Sequence, residues 1–182
     1  MKKFITILIF GLCTRLYSQF SFTGADAFEK KNGMAVCIDA VNNRVTLFSA
    51  KDGIKWSIAL TNTEDNESKL RRALLHDQAV YVVTDDGSFF KLDLEGKILS
   101  KAKNLIPQVV AELQNFGSEF LFARVLVPNP ANDGYIHLIY RINCKSFTDK
   151  VSKREVSPES KLIVIDKSLM IADKSGIAIF SP

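Results

Sequence analysis

Few residues in this chain are of a type and spacing that could do chemistry. The two histidines, His76 and His137, stand alone, with no HxxxH or HExxH pair and no neighbouring cysteine that would complete a zinc set. There is no GxSxG elbow and no phosphate-binding P-loop. Asp85 and Asp86 form an adjacent acid pair, but Gly87 follows them directly. That places them in a hairpin turn, where Asp accepts hydrogen bonds from nearby backbone. Glu64, Asp65 and Glu67 lie in the polar segment 61–68, without the regular alternation of oxygen ligands found in dedicated calcium loops. Asn66-Glu67-Ser68 has the form of a glycosylation sequon, which matters only where export includes glycosylation. No catalytic, cofactor-binding or metal-binding residue is assigned from these positions, and no cofactor is expected.

The charge of +4 over 182 residues has a local origin. Lys2 and Lys3 precede the apolar run 4–12, and a short polar stretch ends at Ser18. A basic start, a short apolar run and a small residue before the cut describe a secretory signal peptide. The run is too short to span a bilayer, which takes about 20 apolar residues. We expect residues 1–18 to be removed, leaving a single domain over 19–182 in the periplasm or outside the cell. A lipid anchor on Cys13 is disfavoured by Leu12, which stands where a small residue is required. Removal takes away Lys2, Lys3 and Arg15 and no acid, so the remainder carries 21 basic and 20 acidic groups. With a net charge of +1 and no basic stripe, a nucleic-acid partner is not expected. The charged segments 69–72 and 150–155 are expected to be solvated strand faces or turns. Cys37 and Cys144 remain, and export would permit a disulfide between them. Their separation in the repeat pattern predicts two free, buried thiols instead, because bridged Cα atoms must lie within about 7 Å.

The elements that must position these residues are almost all strands. Short runs of Val, Ile, Phe, Leu and Tyr are separated by Asn42-Asn43, Asp85-Asp86-Gly87, Asn132-Asp133-Gly134 and Lys174-Ser175-Gly176. Such clusters are hairpin signals. No long stretch carries a capped helical stripe; the nearest, 103–116, is interrupted by Pro107. Strand pairs are predicted at 34–39 with 44–49, 79–84 with 88–93, 118–127 with 135–143, and 169–172 with 177–181. Further strands are predicted at 54–60 and 97–101 on the outside of their units, and at 70–75, 109–116 and 161–165 opening the following ones. The turn positions Asn43, Asp86, Asp133 and Ser175 are 43, 47 and 42 residues apart. Four strands repeating every 40 to 50 residues describe propeller blades. Phe48, Phe89, Phe90, Phe120, Phe122 and Phe180 are then expected to fill the layers between sheets.

The segment Val80 to Leu99, with its Asp86-Gly87 hairpin and later Leu92-Asp93…Gly96-Lys97 turn, resembles a blade of the pyrroloquinoline-quinone-type, or quinoprotein-like, β-propeller repeats. The segment Leu47 to Trp56 is a looser second copy. In that family a docking tryptophan commonly follows the turn glycine by about four residues; here Trp56 follows Gly53 by three, and Ser100 occupies the place after Gly96. The resemblance implies a propeller fold. Its enzymatic branch would further imply quinone, calcium ligands, a catalytic aspartate and commonly a vicinal cysteine pair; here Cys37 and Cys144 are far apart and no calcium-ligand set can be matched. The non-enzymatic branch, which includes outer-membrane assembly scaffolds, implies a binding platform.

At about 44 residues per unit, residues 19–182 make about 3.7 blades, short of the usual ring of four to eight. An open arc is ranked first, with edges that need a protein partner or a second copy. A small closed ring, with 20–23 as the last outer strand, and a two-sheet sandwich remain as alternatives. The function expected is an exported all-β binding or scaffolding module. The alternatives are a remnant quinoprotein-type oxidoreductase and a truncated relative of a longer propeller.

Overall fold

The computed structural model describes residues 27–29, 33–60, 68–116, 119–147, 152–165, 168–173 and 176–180. Residues 1–18, expected to be a leader, the segment 20–23 and the acid cluster at 64–67 lie outside the described residues. Fifteen strands are present and, among the described residues, no helix; none therefore is long and apolar enough to cross a membrane.

The strands form four antiparallel sheets in chain order. Sheet 1 holds β1 (Ala27–Glu29), β2 (Met34–Asp39), β3 (Arg44–Ser49) and β4 (Gly53–Ala59). Sheet 2 holds β5 (Leu70–His76), β6 (Ala79–Thr84), β7 (Phe89–Asp93) and β8 (Ile98–Ala102). Sheet 3 holds β9 (Val109–Phe116), β10 (Phe120–Pro128), β11 (Tyr135–Asn143) and β12 (Ser152–Val156). Sheet 4 holds β13 (Lys161–Ile165), β14 (Ser168–Asp173) and β15 (Gly176–Phe180). In every sheet each strand pairs with its sequence neighbour, so each is a meander built from hairpins. The predicted strand pairs and their turns fall inside these sheets. The short β1 has no counterpart among the expected strands, and β12 takes up most of the charged segment 150–155, expected as a strand face or turn.

The turns carry the chemistry that short hairpins demand. Asn43 has φ 50° and Gly87 has φ 72°, both in the left-handed region that Asn and Gly tolerate best. Asp86 accepts hydrogen bonds from the Ser88 amide at 3.0 Å and the Ser88 hydroxyl at 3.1 Å, and also from the Thr84 hydroxyl. Asp85 accepts from the Lys69 amide at 2.8 Å, which ties the turn to the entry of β5. The acid pair is thus turn structure, as the following glycine suggested.

Three apolar layers separate the four sheets. Met34, Val36, Ile38, Val45 and Leu47 of sheet 1 pack on Val80, Val82, Phe90 and Leu92 of sheet 2. The other face of sheet 2, with Tyr81, Val83 and Phe89, packs on Leu121, Ala123, Val125 and Ile142 of sheet 3. Phe122 and Ile139, on the far face of sheet 3, pack on Leu162, Leu169 and Ile171 of sheet 4. Alternate residues of a strand point to opposite faces, so a sheet in the middle of the stack must be apolar on both. β6 shows this directly, since all six of its residues are buried. Of the expected aromatic core, Phe89, Phe90 and Phe122 are buried, Phe48 and Phe120 are half-buried, and the side chain of Phe180 lies outside the described residues. The first strand of sheet 2, β5, contacts β1 and β2 of sheet 1 and β9 of sheet 3, which places β4, β8 and β12 at the opposite edges of their sheets. The sheets are stacked as propeller blades and the stack is an unclosed arc: among the described residues no apolar layer joins sheet 4 to sheet 1.

Candidate interaction surface

The sheets are strapped to one another by polar groups as well as by packing. Between sheets 1 and 2, Asn43 donates from Nδ2 to the Ser68 carbonyl at 3.1 Å and accepts at Oδ1 from the Leu70 amide at 3.3 Å. Trp56 on β4 donates its indole N–H to the Leu94 carbonyl at 2.9 Å. Between sheets 2 and 3, Arg72 donates from Nε to the Ala111 carbonyl at 2.8 Å, and Lys91 donates to the Cys144 carbonyl at 3.2 Å. Between sheet 3 and the turn leading into sheet 4, Arg124 donates to the carbonyl of Ser160 and lies 3.3 Å from Glu112 on β9. A guanidinium that is nearly buried requires such partners, because an unpaired buried charge is costly.

The residues considered for chemistry are dispersed by this architecture. His76 ends β5, with its Nδ1 3.3 Å from the Asn115 amide nitrogen. His137 sits on β11, on the sheet 3 face that carries Ile139 and Arg124. Burial, and then the Arg124 charge, lower its pKa below the ordinary value of 6.5. Cys37 on β2 and Cys144 after β11 are free and buried, with sheet 2 between their sheets. Burial raises the pKa of both thiols; at Cys144, Tyr81 and Lys91 act in the opposite direction. Burial likewise raises the Tyr81 phenol. Raised values hold these groups neutral and unreactive at physiological pH. Among the described residues no three His, Cys, Asp or Glu side chains gather into a metal site.

What stands out instead is a surface. On sheet 4 the alternation is strict. Leu162, Leu169 and Ile171 face sheet 3 and are at most 9% exposed, whereas Ile163, Ile165, Ile177 and Ile179 on the other face are 42%, 49%, 64% and 64% exposed. The register places Ile163, Met170 and Ile179 in one row across the three strands and Lys161, Ala172 and Ile177 in the next. The centre of the face is apolar and its one ionic group, Lys161, lies at a corner. Monomeric proteins rarely expose such a contiguous apolar face, and those that do commonly use it for contact. The rim strand β15 also lacks charge, while β4 carries Lys55, β8 carries Lys101 and β12 carries Lys153 and Arg154. Charges on edge strands discourage unwanted pairing. These isoleucines were visible in the sequence as the strands 161–165 and 177–181, but strand periodicity alone does not say which face lacks a cover.

No family model matches the chain, and no curated protein is similar to it. Among solved structures it is similar to BamB from Moraxella catarrhalis, with a TM-score of 0.58 at 18% identity over 88% of this chain. The match takes in 50% of that protein, so this chain spans about half the length of the structure it resembles. The likeness is one of fold, and it places the four stacked sheets in the β-propeller architecture.

Proposed function

We propose that the chain is an exported binding or scaffolding module of the cell envelope that works through protein contacts and is not an enzyme. The observation that carries this reading is the exposed apolar face of sheet 4, with Ile163, Ile165, Ile177 and Ile179 uncovered at the end of a stack whose other described apolar layers are filled. The dispersal of its histidines, cysteines and acids supports the same reading. So does the resemblance of its repeats to the non-enzymatic branch of the quinoprotein-like propellers. Export rests on the leader at 1–18.

The test is a pull-down from the envelope fraction with the mature chain, run beside Ile177→Lys/Ile179→Lys. Capture by the wild type that the variant loses is the expected result. Equal capture by both, or reduction of an electron-acceptor dye when the chain is supplied with quinone and calcium, would overturn it.

A further inference from the structure

The four sheets share one plan, so the outer edge of each can be compared with the others. In sheets 1, 2 and 3 the last strands, β4, β8 and β12, are blunted against further pairing. β4 and β8 join their neighbours through irregular ladders, with register shifts between Leu47 and Phe48 and between Lys91 and Leu92, and they carry Lys55 and Lys101. β12 carries Lys153, Arg154 and Glu155 within five residues. Bulges and charges keep an edge from recruiting another strand. Sheet 4 has three strands among the described residues, and its last strand is β15. β15 has no charge and no proline, and its ladder to β14 runs through all five residues without a register shift. Alternate residues of an antiparallel edge turn their N–H and C=O away from the sheet, so about two or three residues of β15 present outward backbone groups.

The width of one strand lies beside that edge. Sheet 3 is four strands wide and is stacked on the face of sheet 4 that carries Leu162, Leu169 and Ile171; Val156 of its last strand, β12, packs against the same apolar layer. β12 therefore stands over the place that a fourth strand of sheet 4 would take. A second copy pairing through its own β15 would bring its own β12 into that space, because sheet 3 is a strand wider than sheet 4 in each copy. A lone strand meets no such obstacle.

We propose that β15 accepts a single extended segment of a partner protein as the fourth strand of sheet 4, by backbone pairing along its outer edge. The proposal rests on the binding role given above and deepens it by naming the kind of segment bound. That segment is uncharged over the five residues facing β15, and it carries β-branched or aromatic side chains at alternate positions, on the side where Ile177 and Ile179 stand. Exposure agrees with this placement. Ile177 and Ile179, which the added strand would flank, are each 64% exposed, against 42% and 49% for Ile163 and Ile165 on the far strand β13.

The experiment is fluorescence polarisation of a labelled, end-capped peptide of alternating valine and threonine, titrated with the mature chain, with Ile179→Lys and with Ile163→Lys. The expected result is binding to the wild type that Ile179→Lys weakens by at least about tenfold and Ile163→Lys changes by less than about twofold, since only the first puts a charge on the pairing edge. Binding should vanish when two adjacent residues of the peptide are proline, because one of them then lacks an N–H that the ladder needs. Hydrogen exchange of the wild type frees the test from any variant that fails to fold: the bound peptide should slow exchange in β15 and leave β4, β8 and β12 unchanged. No binding by the wild type overturns the proposal, as does binding of the proline peptide or a β15 left unprotected. Equal loss in both variants also overturns it, since the peptide would then lie on the whole face. Wild-type dimers that Ile179→Lys dissociates overturn it in favour of a second copy. If the peptide fails while the envelope pull-down still loses its partner with Ile177→Lys/Ile179→Lys, the edge fails and the binding role stands. Peptide pairing without envelope capture is the reverse case.

Discussion

Trp56 donates its indole N–H to the Leu94 carbonyl at 2.9 Å and lies against Gly96, so that a side chain of sheet 1 is seated on the β7–β8 turn of sheet 2. Gly96 has φ 88°, and a Cβ there would come within 3.1 to 3.4 Å of three carbons of the Trp56 ring. The glycine therefore serves two needs, the left-handed backbone of the turn and the close approach of the ring. Trp56→Phe should lose the hydrogen bond and cost about 1 kcal/mol. Trp56→Ala should cost about 3 kcal/mol through lost packing as well. Urea unfolding followed by circular dichroism reads both; an unchanged midpoint for Trp56→Ala would show that the seat contributes nothing.

Gly87 is the position least able to change. A Cβ built there would lie 1.6 Å from the Ile106 carbonyl oxygen, which is backbone and cannot swing aside. The Ile106 amide also donates to the Gly87 carbonyl at 3.3 Å, so the turn and the segment before β9 are clamped together over the buried Ile106. Gly87→Ala should cost more than about 3 kcal/mol. Gly53 provides the comparison, since it has φ 78° but nothing within 4 Å of its would-be Cβ. Gly53→Ala should cost only the left-handed strain of about 1 kcal/mol. Equal destabilisation of the two variants would remove steric contact as the explanation.

Arg124 connects sheet 3 to sheet 4. Replacing it by Met keeps much of the volume but removes the hydrogen bonds to the turn at 157–160 and leaves Glu112 without its partner on β10. Because Glu112 is 38% exposed, the loss should be nearer about 2 kcal/mol than the value for a fully buried pair. Hydrogen exchange locates the effect: amides of β13, β14 and β15 should exchange faster in Arg124→Met, while those of β6 keep wild-type protection. Uniform acceleration across all four sheets would show that Arg124 supports the whole stack rather than the docking of its last sheet.

Much of this architecture could be read from the chain before any coordinates. The hairpin centres at Asn43, Asp86, Asp133 and Ser175 fixed four units, because Asn, Asp and Gly at a turn are a local requirement of backbone geometry. Strand faces followed from alternation in the same way. Contacts between units were not legible, since they depend on how sheets lie in space. The Trp56 seat is an instance: its spacing after Gly53 departs from the usual repeat, and nothing local shows that its indole reaches the Leu94 carbonyl and Gly96 of the next sheet. Ile163 and Ile165 likewise read as ordinary buried strand residues until the absence of a covering sheet is seen. β12 was obscured because Lys153, Arg154 and Glu155 make a rim strand look like a turn.

His137 gives the fold a direction with pH. Its Nδ1 is buried without a hydrogen-bond partner among the described residues, and the Arg124 charge opposes protonation. Because the folded pKa lies below the unfolded one, the unfolded chain takes up the proton first as pH falls. Stability should therefore be fully present above about pH 6.5 and decline as pH drops through the folded value. His137→Gln should flatten the decline. A stability that rises on acidification through this range would contradict the burial of a neutral imidazole.

The two thiols should be silent in the folded chain. Cys37 and Cys144 belong to sheets separated by sheet 2, so no bridge can form within one copy without dismantling the stack. Both are buried and their pKa values are raised, which suppresses the thiolate that reacts with alkylating agents. Treatment of the mature chain with a maleimide should leave it essentially unmodified under native conditions and add two labels after unfolding in urea. Mass spectrometry with and without reductant should give the same mass. A difference of about 2 Da, the two hydrogens lost when a disulfide forms, would mean that Cys37 and Cys144 come within bridging distance, and the order of the stacked sheets would have to be wrong.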